Sequence, residues 1–194
     1  MKNLKSALIL YGALTLLLGA AYPALVTVAV RAVFPKPAAG SLVRVDGEVI
    51  GSSLLAQAFD SPAYFWPRPS AGNYGAVPSA ASNLGPTSAG LKQAVEERKT
   101  RLAPFFSGPV PAELLLASGS GLDPHLSPEA ALAQIGHVAR ARRLNAEARE
   151  QLTALVNEQI EGPQWGVLGR PRVNVLLLNL ALDSRFPASR PGEK

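Results

Sequence analysis

The stretch ALILYGALTLLLGAAYPALVTVAV, Ala7 to Val30, holds no Asp, Glu, Lys, Arg or His. At about 1.5 Å per residue a helix of this length spans roughly 36 Å, enough to cross a hydrocarbon core of roughly 30 Å with some tilt. Lys2 and Lys5 precede it, and Gly19-Ala20-Ala21 has the small side chains of a signal-peptide cleavage site. The apolar run nevertheless continues past Ala21 to Val30, and Pro23 crowds the bond that would be cut. The segment therefore reads as an uncleaved transmembrane helix. Lys2 and Lys5 on one side face Arg31, Lys36 and Arg44 on the other, so flanking charge alone does not orient it.

Outward from the anchor, charge is unevenly placed. The formal net charge is +5, yet Lys2, Lys5, Arg31 and Lys36 supply +4 of it within the first 40 residues. The remainder is near neutral, which argues against nucleic-acid binding. Cysteine is absent, which excludes disulfides and thiolate metal sites. The layout expected is a short amino-terminal segment 1–6, the membrane helix 7–30, a linker 31–40, a folded domain 41–183 and a flexible tail 184–194.

Within that domain, Leu42–Val45 and Glu48–Ile50 read as a hairpin turned by Asp46-Gly47, since both central positions need positive φ. Residues 59–90 form a Pro-, Gly-, Ser- and Ala-rich segment carrying Phe59, Tyr64, Phe65, Trp66 and Tyr74, five of twelve aromatics. Disordered linkers are poor in aromatics, so this loop is expected to be ordered and to offer a partner surface. Thr87 is expected to cap a helix with Leu91, Ala94, Val95 and Leu102 on one side. Ser127, with Pro128 and Glu129 behind it, starts another helix ending at Arg140, Arg142 and Arg143; Asn145 caps a third. RVNVLLLNLAL, Arg172 to Leu182, has the near-continuous apolar centre of a strand covered on both faces. Strands at either end with helices between imply an α+β domain behind one transmembrane helix.

Ser120, Asp123 and His125 lie close together in ASGSGLDPHLSPEAA, Ala117 to Ala131, but not as a hydrolase site. The glycines around Ser120 do not fit Gly-x-Ser-x-Gly, and Pro124 separates Asp123 from His125. Turn chemistry followed by a helix start explains the same letters. Two histidines without cysteine are too few for a zinc site, and no phosphate loop or dinucleotide fingerprint occurs. His137 is expected as a half-exposed polar contact. No catalytic or metal-binding residue is assigned, and no directly bound cofactor. Asn83, in SNLGP, and Arg142 are the two candidates for holding a nucleotide phosphate. Gly12 and Gly19, seven apart, put small side chains on one stripe of the anchor, and Pro23 should kink it. These three, with Tyr64, Phe65, Trp66 and Arg68, are the partner-interface candidates.

YFWPRPSA, SNLGP, ASGSGLDPHLSPEAA and PRVNVLLLNLAL, in this order behind a Tyr-Pro-containing anchor, resemble the C subunit of the Kdp-type potassium-transporting ATPase. Pro67 departs from the glycine usual there. The resemblance implies an accessory, non-catalytic subunit of a complex importing K⁺ with ATP across the bacterial inner membrane. Its partners would be a channel-like K⁺-binding subunit, a P-type ATPase subunit and lipid; ATP and potassium would be handled by the complex. It also implies a cytoplasmic amino terminus, an outer domain, and a role in raising the ATP affinity of the pump. The chain lacks the Asp-Lys-Thr-Gly-Thr motif phosphorylated in such pumps. An envelope binding module unrelated to transport stands as the alternative.

Overall fold

A computed structural model describes residues 2–187, so most of the expected tail lies outside the described residues. By their contacts the residues form two compact units, 1–52 and 53–194.

In the first unit a helix runs from α1 (Lys2–Leu16) through a π-helical turn (Leu17–Ala21) into α2 (Tyr22–Val33). The segment Asn3–Val33 is long and apolar enough to span a membrane, and its apolar window is wholly unburied. A helix apolar all round and covered by nothing suits lipid. Where a kink is expected at Pro23, the helix has a π turn just before the proline. Pro23 has no N–H and would crowd the carbonyl of Gly19 in an α-helix; the wider turn lets the Tyr22 N–H bond the Leu17 carbonyl instead. Thr27 Oγ1 donates to the Pro23 carbonyl at 2.7 Å. Residues 31–40, expected as a linker, are largely helical, with α3 (Pro35–Ala38) adding one turn. Strands β1 (Leu42–Val45) and β2 (Glu48–Ser52) pair antiparallel as expected, with Asp46 and Gly47 at φ 51° and 87°. A register shift between Val43 and Arg44 marks a bulge. Contacts group this hairpin with the anchor, not with the domain that follows.

The second unit is a helical layer on a small sheet. Helices α4 (Ala89–Leu102), α5 (Pro128–Leu132), α6 (Ile135–Ala141), α7 (Ala146–Glu158) and α8 (Val175–Arg185) accompany β3 (His125–Leu126), β4 (Ile160–Glu161) and β5 (Arg172–Asn174). The sheet order is β3-β5-β4, antiparallel throughout. Leu126, Val138, Leu152, Val156, Val173, Leu178 and Leu182 form the centre of the core, each at most 2% exposed. Each such side chain contributes roughly 1.5–3 kcal/mol by leaving water.

Side-chain caps start four of the five helices of the second unit, α4, α5, α7 and α8. Ser127 and Asn145 accept from Ala130 and Ala148 N–H at 3.2 and 2.8 Å, as expected. Ser88, not Thr87, caps α4 by accepting from Leu91. The long apolar run after Arg172 is mostly helix rather than strand. Asn174 ends β5 and caps α8 by accepting from Leu177 at 3.1 Å, and the run beyond Val175 is leucine-rich, which favours helix once it is capped. The predicted α+β class holds, with less strand than expected.

Candidate functional site

The aromatic loop lies within the second unit, and no helix or strand interrupts it before Ala89. Four consecutive residues, Ala63 to Trp66, have their backbone held by side chains from α6, α8 and their flanks. Asn179 accepts from Phe65 N–H and donates back to Phe65 O, both at 2.9 Å. Gln134, in the break between α5 and α6, does the same for Trp66 at 2.8 and 3.1 Å. His137 Nε2 lies 3.2 Å from Tyr64 O, and Arg142 Nε donates to Ala63 O at 2.8 Å. A buried loop has no ladder partner for its peptide groups, so the amide side chains serve as one.

Rings complete the packing. Trp66 stacks on His137 with centroids 4.2 Å apart, and Phe105 meets Trp66 edge-on at 5.0 Å. Phe65 is fully buried and Trp66 is 9% exposed. The loop is ordered as expected, but Phe65 and Trp66 are core residues and not an exposed partner surface. Tyr64 is half-buried: the Arg142 guanidinium sits 5.0 Å from its ring centroid, and its hydroxyl donates to Asp183 at 3.0 Å. Burial first, and the Asp183 carboxylate second, raise the Tyr64 phenol above its ordinary value. Arg68 pairs with Asp123 at 3.2 Å and is partly exposed.

His137 is 2% exposed, not half-exposed. Burial pushes its pKa down to about 4, against the bond to Tyr64 O, and the Arg140 cation lowers it further. At neutral pH the ring is uncharged. A carbonyl opposite Nε2 requires the proton there, which leaves Nδ1 as a buried acceptor without a partner. Its place in the stack makes it a packing residue whose charging would be costly.

Arg142 is similarly committed. Its side chain is 2% exposed, and Nη2 meets Asp183 at 2.7 Å. Nη1 donates to Phe186 O, so each of its three nitrogens already donates to the protein. Asn83 is exposed in irregular loop at φ 51°, with no hydrogen bond joining it to Arg142 among the described residues.

Ser120, Asp123 and His125 do not form a relay. Ser120 Oγ accepts from Leu122 N–H at 3.1 Å, and among the described residues no hydrogen bond links it to His125. Asp123 accepts from the His125 N–H at 3.1 Å, and its Oδ1 lies 3.4 Å from His125 Nδ1. His125 foremost, with Arg68 adding to it, holds the Asp123 carboxyl below its ordinary value although burial opposes this. Gly121 sits at φ 71°, and a Cβ there would lie 2.6 Å from Ala80 O. The motif is a tight seam against the loop. Among the described residues no cluster of three or more His, Asp or Glu could hold a metal ion.

Sequence comparison decides what carries this architecture. The family described as K⁺-transporting ATPase, c chain, matches residues 4–184. The chain belongs to the KdpC family. A potassium-transporting ATPase KdpC subunit of Rhodospirillum rubrum is 53% identical over 96% of this chain and 98% of that relative. Relatives of the same name from Polaromonas naphthalenivorans and Geobacter sulfurreducens are 49% and 48% identical, covering 99% and 96% of this chain and 100% of each relative. A Kdp ATPase subunit implies other Kdp subunits as partners, and an envelope module unrelated to transport is set aside.

The anchor candidates stand differently from the loop. A Cβ added at Gly12 or Gly19 would meet nothing within 4 Å, so that side of the helix is open to another helix or to lipid. Gly19 falls inside the π turn, which shifts the stripe out of plain α-helical register. Sequence reasoning missed Gln134 and Asn179. Their signal was a lone amide inside an apolar helical run, as in VLLLNLAL.

Proposed function

We propose that this chain is a non-catalytic accessory subunit that stabilises the Kdp complex and supports its activity from outside the membrane. Its partners are a channel-like K⁺-binding subunit and a P-type ATPase subunit. The observation that carries the reading is the family match across nearly the whole chain, joined to the lack of a phosphorylation motif in the sequence. The amino terminus is cytoplasmic, and Gly12, Gly19 and Pro23 lie where the anchor meets the transport subunits.

Any rise in the ATP affinity of the pump then passes through the assembled complex, by favouring one pump conformation. Arg142 supports this, because its guanidinium is buried and three of its five N–H groups already donate to Ala63, Phe186 and Asp183. Co-expression with the other Kdp subunits tests the reading. Co-purification, K⁺-stimulated ATP hydrolysis that requires this chain, and no saturable Mg-ATP binding by the chain alone are expected. Micromolar ATP binding lost on changing Asn83 or Arg142 would replace it with a direct nucleotide role. Protease added to spheroplasts should remove the domain; full protection would reverse the orientation.

A further inference from the structure

The segment between β4 and β5, residues 162–171, is an arm exposed along nearly its whole length. Its two strands pair Ile160 with Val173 and Glu161 with Arg172, so it extends the sheet as a hairpin arm. Near the end of the arm Gln164 and Leu168 bridge again, with N–H···O bonds of 2.8 and 2.9 Å. Gly166 N–H to Pro163 O at 3.1 Å and Val167 N–H to Gln164 O at 3.2 Å brace the turn from inside. Trp165 and Gly166 both take left-handed backbone, φ 53° and 79°, a conformation that disfavours a bulky side chain. On this braced turn Trp165 is 88% exposed, Val167 79% and Leu168 52%. Three large apolar side chains within four residues thus stand in solvent. Arg170 beside them is exposed and makes no ion pair among the described residues, whereas Arg172 is held by Glu161 at 2.9 Å.

We propose that this tip, Trp165 to Leu168 with Arg170, docks into an apolar socket with an acidic rim on another subunit of the same ATPase. The proposal rests on the reading that the chain works as an assembled subunit. Trp and Arg are the side chains that most often carry binding energy at the centre of protein interfaces. Docking into a shaped protein socket depends on a fixed arrangement of side chains, which the braced turn provides in advance. Recognition of anionic headgroups uses clusters of basic residues, and Arg170 is the arm's one cation without an ion pair among the described residues. The exposed guanidinium matches a carboxylate on the socket's rim. Three side chains make less than a full interface, so the tip acts together with the membrane helix as a second attachment, strengthened because the first already holds the chain close.

The test uses the full chain co-expressed with the other subunits, with benzoylphenylalanine replacing Trp165 for photo-crosslinking and a double variant, Trp165→Ser with Val167→Ser. The expected results are a crosslink to another subunit and a loss of roughly tenfold or more in complex retained on dilution, as truncating an interface anchor gives. The melting temperature of the variant chain alone should be unchanged, because these side chains touch little of their own fold. Crosslinking only to lipid, no crosslink, or undiminished retention of the double variant would each overturn the tip as a docking point. If the wild-type chain fails to co-purify, the assembly reading falls and the tip with it. Wild-type assembly with an indifferent variant overturns the tip alone.

Discussion

The chain has two tryptophans, and they sit in loops with opposite fates. Trp66 belongs to the aromatic-rich segment and is 9% exposed, while Trp165 belongs to a short glycine-flanked turn and is 88% exposed. By composition the first loop looks like a partner surface, and a single tryptophan does not mark the second. What separates them is distant in sequence. Gln134, His137, Arg142 and Asn179 supply hydrogen bonds that let residues 63–66 enter the core, and among the described residues no comparable set serves residues 164–168, whose bonds are their own. Aromatic content tells that a loop is ordered. Whether it faces inward is settled by polar side chains able to satisfy its peptide groups.

The largest effect should come from removing one of those side chains. Asn179→Ala leaves both the N–H and the carbonyl of Phe65 buried without partners, a loss of roughly 2–6 kcal/mol in unfolding free energy. Denaturant titration of the full chain in detergent reads it. A loss within 0.5 kcal/mol, as at an unremarkable surface site, would mean that the clamp is incidental.

Acid should act on the neighbouring contact, between His137 and Tyr64 O. The folded-state pKa of His137, about 4, lies below its ordinary value of 6.5, so the unfolded chain takes up the proton first. Stability is complete above about 6.5 and declines as pH falls from there towards 4, by at most about 3 kcal/mol. Asp123, held below its ordinary value, adds its own loss at lower pH still. His137→Gln, which keeps a donor for Tyr64 O, should flatten the slope between pH 6.5 and 4. An equal slope in both proteins would place the titrating group elsewhere.

A smaller effect is expected at the seam. Ser127→Ala removes a helix cap and should cost about 1 kcal/mol, with ATPase turnover per assembled complex unchanged. Ser120→Ala and His125→Ala should also preserve turnover. A collapse in turnover with intact assembly would restore a catalytic reading of that motif. The smallest stability effect belongs to the exposed tip, where Trp165→Ser should shift unfolding by less than about 0.5 kcal/mol.

Much of the architecture was legible in local chemistry. The anchor followed from apolar length, the hairpin from Asp46-Gly47, and two helix starts from Ser127 and Asn145, because these signals act within a few residues. Arg172–Leu182 was misread because a short, near-continuous apolar run fits a buried strand and a buried helix equally well. Its cap, Asn174, decided for helix. The burial of Phe65 and His137 was not legible, since it depends on contacts more than 60 residues apart, Tyr64 to His137 and Phe65 to Asn179. Trp165 escaped notice for a related reason: its exposure comes from a turn braced by Pro163, Gln164 and Leu168, a geometry its neighbours' identities do not announce.

The contrast between the two tryptophans is tested most directly by acrylamide quenching of two single-tryptophan chains, Trp165→Phe and Trp66→Phe, each full-length in detergent. The first reports only Trp66 and the second only Trp165. The account predicts blue-shifted emission that resists quenching from Trp66, and red-shifted, readily quenched emission from Trp165. Equal quenching of the two, or a Trp66 more accessible than Trp165, would contradict it.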